Sequence, residues 1–229
     1  MTSVDLRRAG AEALGTFFLV LIGPGAAVVD AFSDGQLGTV GVSLAFGFVV
    51  TAMIYALGHL SGAHINPAVT LGLWSARRFP AASTVPYILA QCSGAVAASI
   101  VLRGTFGQVG NLGATLPRIP TSSAFAVEWL LSFALMFVIM SAITNKHAGV
   151  DLAALVVGLT VGFCALVGGP ITGASMNPAR SLGPALVGGH WQAHWIYWLA
   201  PITGMMFGAQ AYLLLQSATG PRIPAEPSA

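Results

Sequence analysis

The tripeptide Asn-Pro-Ala occurs twice in this chain, at residues 66–68 and 177–179, and each copy opens a short apolar stretch. Asn is a preferred N-cap, Pro is favoured at the first helical position, and Ala is the strongest helix former. Asn66, Pro67 and Ala68, and again Asn177, Pro178 and Ala179, therefore read as compact helix starts. The stretches 66–76 and 177–187 that they open are each about half of the ~20 residues a membrane crossing needs. A few titratable side chains stand close by. Glu12 and Glu128 are each alone in apolar runs, His64 lies two residues before Asn66, and Arg180 lies three residues after Asn177.

The chemistry of such a set follows from its backbone. A helix that begins at membrane depth exposes unpaired N–H groups, which is tolerated only where they are buried or line a wet cavity. Ser61 to Ile65 and Thr172 to Met176, just before the two starts, are expected as extended strands whose carbonyls line a water-filled passage. Glu12 and Glu128 are expected to accept hydrogen bonds from the loop in their own half, with His64 in a similar structural role. Asn66 and Asn177 would cap with their carboxamide oxygens and leave their NH2 groups to donate to whatever passes. The helix dipoles would point their positive ends at the centre, making a passage for neutral solutes that repels cations. Arg180 needs water or carbonyls and is expected to face the passage near its outer mouth. No His, Cys or carboxylate cluster has metal-ligand spacing, so no metal and no cofactor are expected.

Composition sets the solvent. Of 229 residues, 55% are hydrophobic and 7% charged, with a mean hydropathy of +0.80; soluble domains carry about 25% charged residues. Such a chain cannot cover itself with a hydrated surface, which excludes a soluble enzyme, a nucleic-acid binder and a disordered scaffold. Cys92 and Cys164 both lie in apolar stretches, arguing against a disulfide framework. The 28 glycines suit close helix packing in a lipid bilayer.

Six long apolar runs, near 10–29, 38–60, 83–103, 124–144, 151–169 and 194–215, read as membrane spans. Residues 217–229 have the composition of a mobile tail. An even number of spans puts both termini on one side. Arg7, Arg8, Arg77, Arg78, Lys146 and Arg222 fall on that side and only Arg103 and Arg118 on the other, so both termini are expected in the cytoplasm. Trp191, Trp195 and Trp198 fall where the last span should meet the outer interface.

The halves repeat. Gly-Ala-His-Ile-Asn-Pro-Ala at 62–68 matches Gly-Ala-Ser-Met-Asn-Pro-Ala at 173–179, 111 residues on, and Glu12 matches Glu128 at an offset of 116. A unit of three crossings enters the membrane from opposite sides in its two copies, so repeats over about 8–113 and 120–216 should be inverted, within one domain spanning 1–229. Their half-helices should meet near the bilayer centre. The expected fold is an all-α membrane protein of six transmembrane helices and two re-entrant half-helices.

The bland alternative is a pair of capped helices lying on the membrane surface. One given tripeptide of this kind arises by chance in a chain this long only about a few per cent of the time, and two copies at matching repeat positions are far rarer. A proton relay through Glu12 and Glu128 would make a pump or antiporter, but no ladder of further intramembrane acids accompanies them.

His-Ile-Asn-Pro-Ala-Val-Thr at 64–70 and Ser-Met-Asn-Pro-Ala-Arg-Ser at 175–181 resemble the two signature loops of the aquaporin family, the major intrinsic proteins, and the likeness runs over about 10–216. The resemblance implies a right-handed bundle, homotetramers with one pore per subunit, and passive conduction of water or small neutral solutes. It also maps the family's size-setting constriction onto Phe46, Ala165, Ala174 and Arg180. Water-selective members usually carry His where Ala165 stands, and glycerol facilitators carry two aromatics where this chain has one. These four residues imply a ring wider and less polar than a strict water channel has. Ser181, Ala185, Tyr197 and Trp198 resemble the water-channel pattern instead.

The constriction is given more weight, because bore and lining donors set the cost of passage directly. The leading expectation is a passive channel for water and small uncharged solutes such as glycerol, urea or a neutral metalloid acid. The alternative is a strict water channel. An ion-coupled transporter and a structural membrane protein are weaker readings, and no feature suggests an enzyme. The plasma (inner) membrane is the expected location.

Overall fold

A computed structural model describes residues 3–145 and 150–218. The expected tail beyond 218, together with Lys146 and Arg222, lies outside the described residues. Ser217 and Ala218, assigned to that tail on composition, continue the last helix.

The chain is helical throughout its apolar runs. In order come α1 (Ser3–Phe32), α2 (Gly38–Ser61), the short α3 (Pro67–Ser75), α4 (Ala81–Phe106), α5 (Thr121–Thr144), α6 (Val150–Thr172), the short α7 (Pro178–Gly188) and α8 (Ile196–Ala218). Among the described residues, six of these are long and apolar enough to cross a membrane. At ~1.5 Å per residue, α3 and α7 reach only about halfway through a ~30 Å hydrocarbon core. Large apolar side chains stand exposed on every long helix, among them Phe18, Phe48, Leu89, Leu130, Phe163 and Phe207. Exposure on that scale marks a lipid-facing surface.

Packing follows the repeat. α1 packs on α4 as α5 packs on α8, and α1 on α2 as α5 on α6. The half-helices cross over: α3 packs against α8 and α7 against α4, each in the opposite repeat. α2 and α6 meet each other, and there Gly47 faces Gly158, its counterpart 111 residues on. A Cβ on Gly47 would lie 3.0 Å from the Gly158 carbonyl oxygen, and one on Gly158 would lie 2.6 Å from that of Gly47. Two residues related by the repeat and packed on each other place the pseudo-two-fold axis between them.

Candidate functional site

The loops into the half-helices are not extended, contrary to expectation. Gly62, Ala63 and Ile65 have φ of 89°, 45° and 45°, and Gly173, Ala174 and Met176 repeat this with 90°, 41° and 50°. The carboxylates explain the departure. An extended strand sends successive N–H groups to opposite sides. Here the N–H groups of His64 and Ile65 both donate to Glu12, at 2.9 Å to Oε1 and 2.7 Å to Oε2. Those of Ser175 and Met176 both donate to Glu128, each at 2.9 Å. Left-handed residues turn consecutive N–H groups into one concave nest, and a buried carboxylate fills it.

Each carboxylate is fully buried and serves its own half. Ser61 Oγ donates to Glu12 Oε1 at 2.7 Å and accepts from Ala63 N. Thr172 Oγ1, 111 residues on, donates to Glu128 Oε1 at 2.6 Å and accepts from Ala174 N. The hydroxyls of Tyr87 and Tyr197 clamp these same residues, donating to the carbonyls of Ser61 (2.9 Å) and Thr172 (2.7 Å). Glu12 has one further donor, Gln91 Nε2 at 2.7 Å.

His64 enters the Glu12 shell through its backbone. Its ring Nδ1 lies 3.1 Å from Thr70 Oγ1, which Gln91 Nε2 also reaches at 3.0 Å. The matching pair in the second half is Ser175 and Ser181, whose hydroxyls lie 2.5 Å apart, with Thr115 Oγ1 donating to Ser181 at 2.8 Å.

Asn66 and Asn177 cap as expected of the residue type. Asn66 Oδ1 accepts from Ala68 N at 2.8 Å, and Asn177 Oδ1 accepts from Ala179 N and Arg180 N at 3.0 and 3.2 Å. Pro67 and Pro178 occupy the first helical turn, and Ala68 and Ala179 are fully buried behind them. The amide nitrogens are not both wholly free, which corrects the sequence reading. Asn66 Nδ2 donates to the Met176 carbonyl at 2.8 Å, and Asn177 Nδ2 to the Ile65 carbonyl at 2.9 Å. One N–H of each amide thus ties the two half-helix starts together. The other N–H is left for a different acceptor.

Two cavities run along this assembly. One, of about 290 Å³, has aliphatic walls that include Val50, Leu135 and Val157, and it is bordered by both loops with Asn66 and Asn177. The other, of about 590 Å³, is more polar and is bordered by Asp30, Asn111 and Arg118. Phe46 and Arg180 line both. Ala174 borders the first and Ala165 the second.

Arg180 is buried, with its guanidinium carbon 5.1 Å from the centre of the Phe46 ring. Its Nη1 donates to the Gly113 carbonyl at 2.8 Å, while Nε has no protein partner among the described residues. The carbonyl comes from a turn, Val109–Gly113, in which Gly110, Asn111 and Leu112 are all left-handed.

Ser61, Thr172, Tyr87, Gln91, Thr115 and Ser175 took no part in the sequence reading as side chains. Superposing the halves at the offset of the tripeptides would have paired Ser61 with Thr172, and one residue less would have paired Tyr87 with Tyr197. Gln91 and Thr115 have no such signal.

Residues 1–212 match the family model described as major intrinsic protein. Aquaporin NIP1-4 of Oryza sativa subsp. japonica is 47% identical over 213 residues, covering 93% of this chain and 77% of its own. Nodulin-26 of Glycine max is 40% identical over 217 residues, covering 94% and 80%. The X-ray structure of the aquaglyceroporin from Plasmodium falciparum superposes with a TM-score of 0.82 at 28% identity, over 91% of this chain and 95% of that one. With its inverted halves, its two capped half-helices and these matches, the chain belongs to the major intrinsic protein family.

Proposed function

We propose that this protein is a passive channel for water and small uncharged solutes, with its narrowest part between Phe46 and Arg180. The observation that carries this reading is that these two side chains are common to both cavities. A solute moving between the cavities meets the Arg180 guanidinium on one side and an aromatic face on the other. Beyond them it runs along aliphatic walls, facing the loops that Asn66 and Asn177 tie together. Such a wall suits a molecule with an apolar backbone and a row of hydroxyl or amide groups. Ions lose their hydration there without replacement, and the N-termini of α3 and α7 add positive potential at the centre. Ala165 and Ala174 present only methyl groups, which leaves room for a three-carbon polyol.

A second reading, a strict water channel, is favoured by the short separation of Arg180 and Phe46, whose guanidinium carbon and ring centre lie 5.1 Å apart. Stopped-flow light scattering of reconstituted vesicles separates the two. Water flow under a sucrose gradient, followed by reswelling in glycerol or urea, supports the broader reading; water flow without reswelling supports the narrower one. Solute uptake that requires a proton or sodium gradient would overturn both.

The repeats over 8–113 and 120–216 form one channel domain in this reading. The cationic residues Arg7, Arg8, Arg77 and Arg78 support cytoplasmic termini in an inner membrane. Homotetramers with one passage per subunit are the assembly that family membership implies.

A further inference from the structure

Leu19, Ala27 and Ala31 of α1 border the cavities from one helical face, at spacings of eight and four residues. Leu19 lines the aliphatic cavity and Ala27 the polar one. Residues four apart on a helix lie on one face, so Gly23, midway between them, faces the passage at the level where the cavities meet. Gly23 borders neither, because the Phe46 ring occupies its place. A Cβ built on Gly23 would lie 2.6 Å from Phe46 Cδ1 and 2.9 Å from Cζ, and nearer still to Cε1. The ring therefore lies in the space that any other residue at position 23 would fill.

The next residue braces the opposite side. A Cβ on Gly113 would lie 2.6 Å from the Pro24 carbonyl oxygen and 2.8 Å from its Cα, so this turn sits directly on α1. The same Gly113 supplies the carbonyl that holds Arg180 Nη1. One step of α1, Gly23–Pro24, thus backs both side chains that line the two cavities.

We infer that Gly23 is a specificity-determining residue: the missing side chain seats the Phe46 ring against α1 and so sets the opening between Phe46 and Arg180. This rests on the proposed passage and adds a positioning residue to it. A methyl group at 23 pushes the ring off α1. The guanidinium carbon lies only 5.1 Å from the ring centre, so the displaced ring narrows the opening and the largest permeant suffers first.

The test measures glycerol and water permeability of reconstituted vesicles at matched protein density for wild type, Gly23→Ala, Phe46→Leu and Gly23→Ala/Phe46→Leu. The expected result is a drop of about tenfold in the glycerol-to-water ratio for Gly23→Ala, equivalent to ~1.4 kcal/mol of added barrier. The double variant, whose smaller side chain leaves room for the methyl, matches the ratio of Phe46→Leu alone. A purely structural role for Gly23 would lower both permeabilities in step with folded protein and leave their ratio unchanged, and that result overturns the inference. If Gly23→Ala gives no folded protein, the double variant must fold and conduct; its failure also overturns the inference. A wild type that passes water but no glycerol contradicts the broad solute reading alone. The seat is then read in water flow per channel, reduced in Gly23→Ala and equal in the double variant and Phe46→Leu alone.

Discussion

Glu12 and Glu128 hold equivalent loops with unequal shells. Both accept two consecutive loop N–H groups and a hydroxyl, but Glu12 also accepts from Gln91, which in turn reaches Thr70 in α3. The first half-helix is therefore tied to α1 and α4 through one carboxylate, whereas the second is tied through Glu128 to α5 and through Ser181 to Thr115.

Replacing either carboxylate by an amide puts a donor where the loop offers only donors. Glu12→Gln and Glu128→Gln are each expected to destabilise the fold by about 3 kcal/mol, the scale of breaking a buried charged network. Glu12→Gln should cost more, because it confronts four donors rather than three. Thermal unfolding in detergent checks both the size and the order.

Tyr87→Phe and Tyr197→Phe each delete one hydroxyl-to-carbonyl bond and little packing. Each should cost about 1 kcal/mol. Because they act on opposite halves and share no partner, the double variant should lose the sum to within ~0.5 kcal/mol. Denaturation of the three variants provides the comparison.

The sequence carried the tripeptides and both carboxylates because each is a rare type against an apolar background. Asn66, Asn177, Glu12 and Glu128 could be paired by offset alone, and with them the inverted fold. Backbone conformation was not legible. Ile65 is β-branched and Ala63 is a strong helix former, so nothing in either residue type announces a positive φ. That geometry is imposed by the buried carboxylate, a tertiary partner 53 residues away from Ile65. Gln91, Thr115 and Gly23 were hidden for the same reason, since their partners lie on other helices.

At the N-terminal end of α8, Trp198 Nε1 donates to His194 Nε2 at 3.2 Å, which requires an unprotonated nitrogen. Burial holds the His194 imidazole below its ordinary pKa. The unfolded chain then binds a proton more readily than the folded one, so stability rises with pH. This contribution is complete above about pH 6.5 and is lost as pH falls through the lowered folded-state value. Melting of wild type and His194→Gln should therefore diverge at neutral pH and converge on acidification. An unchanged gap would show that His194 does not titrate in this way.

No proton current is expected through the proposed passage. The opposed starts of α3 and α7 orient water oppositely on their two sides and repel H3O⁺ from the centre. Vesicles holding a pH gradient should lose it no faster than empty ones. Arg180→Val removes the guanidinium at the proposed narrow point and should allow a measurable cation or proton leak while leaving water flow largely intact.

In the proposed passage, solutes are sorted by size between Phe46 and Arg180. The most direct measurement compares glycerol and water permeability in wild type and Ala165→His at matched protein density. Ala165 borders the polar cavity next to Phe46 and Arg180. An imidazole there intrudes on the approach and adds a polar group facing the guanidinium. Wild type is expected to pass both solutes, and the variant to keep water while losing glycerol about tenfold, the effect of ~1.4 kcal/mol of added barrier. Equal loss of both solutes in the variant, or exclusion of glycerol by the wild type, would contradict this sorting by size.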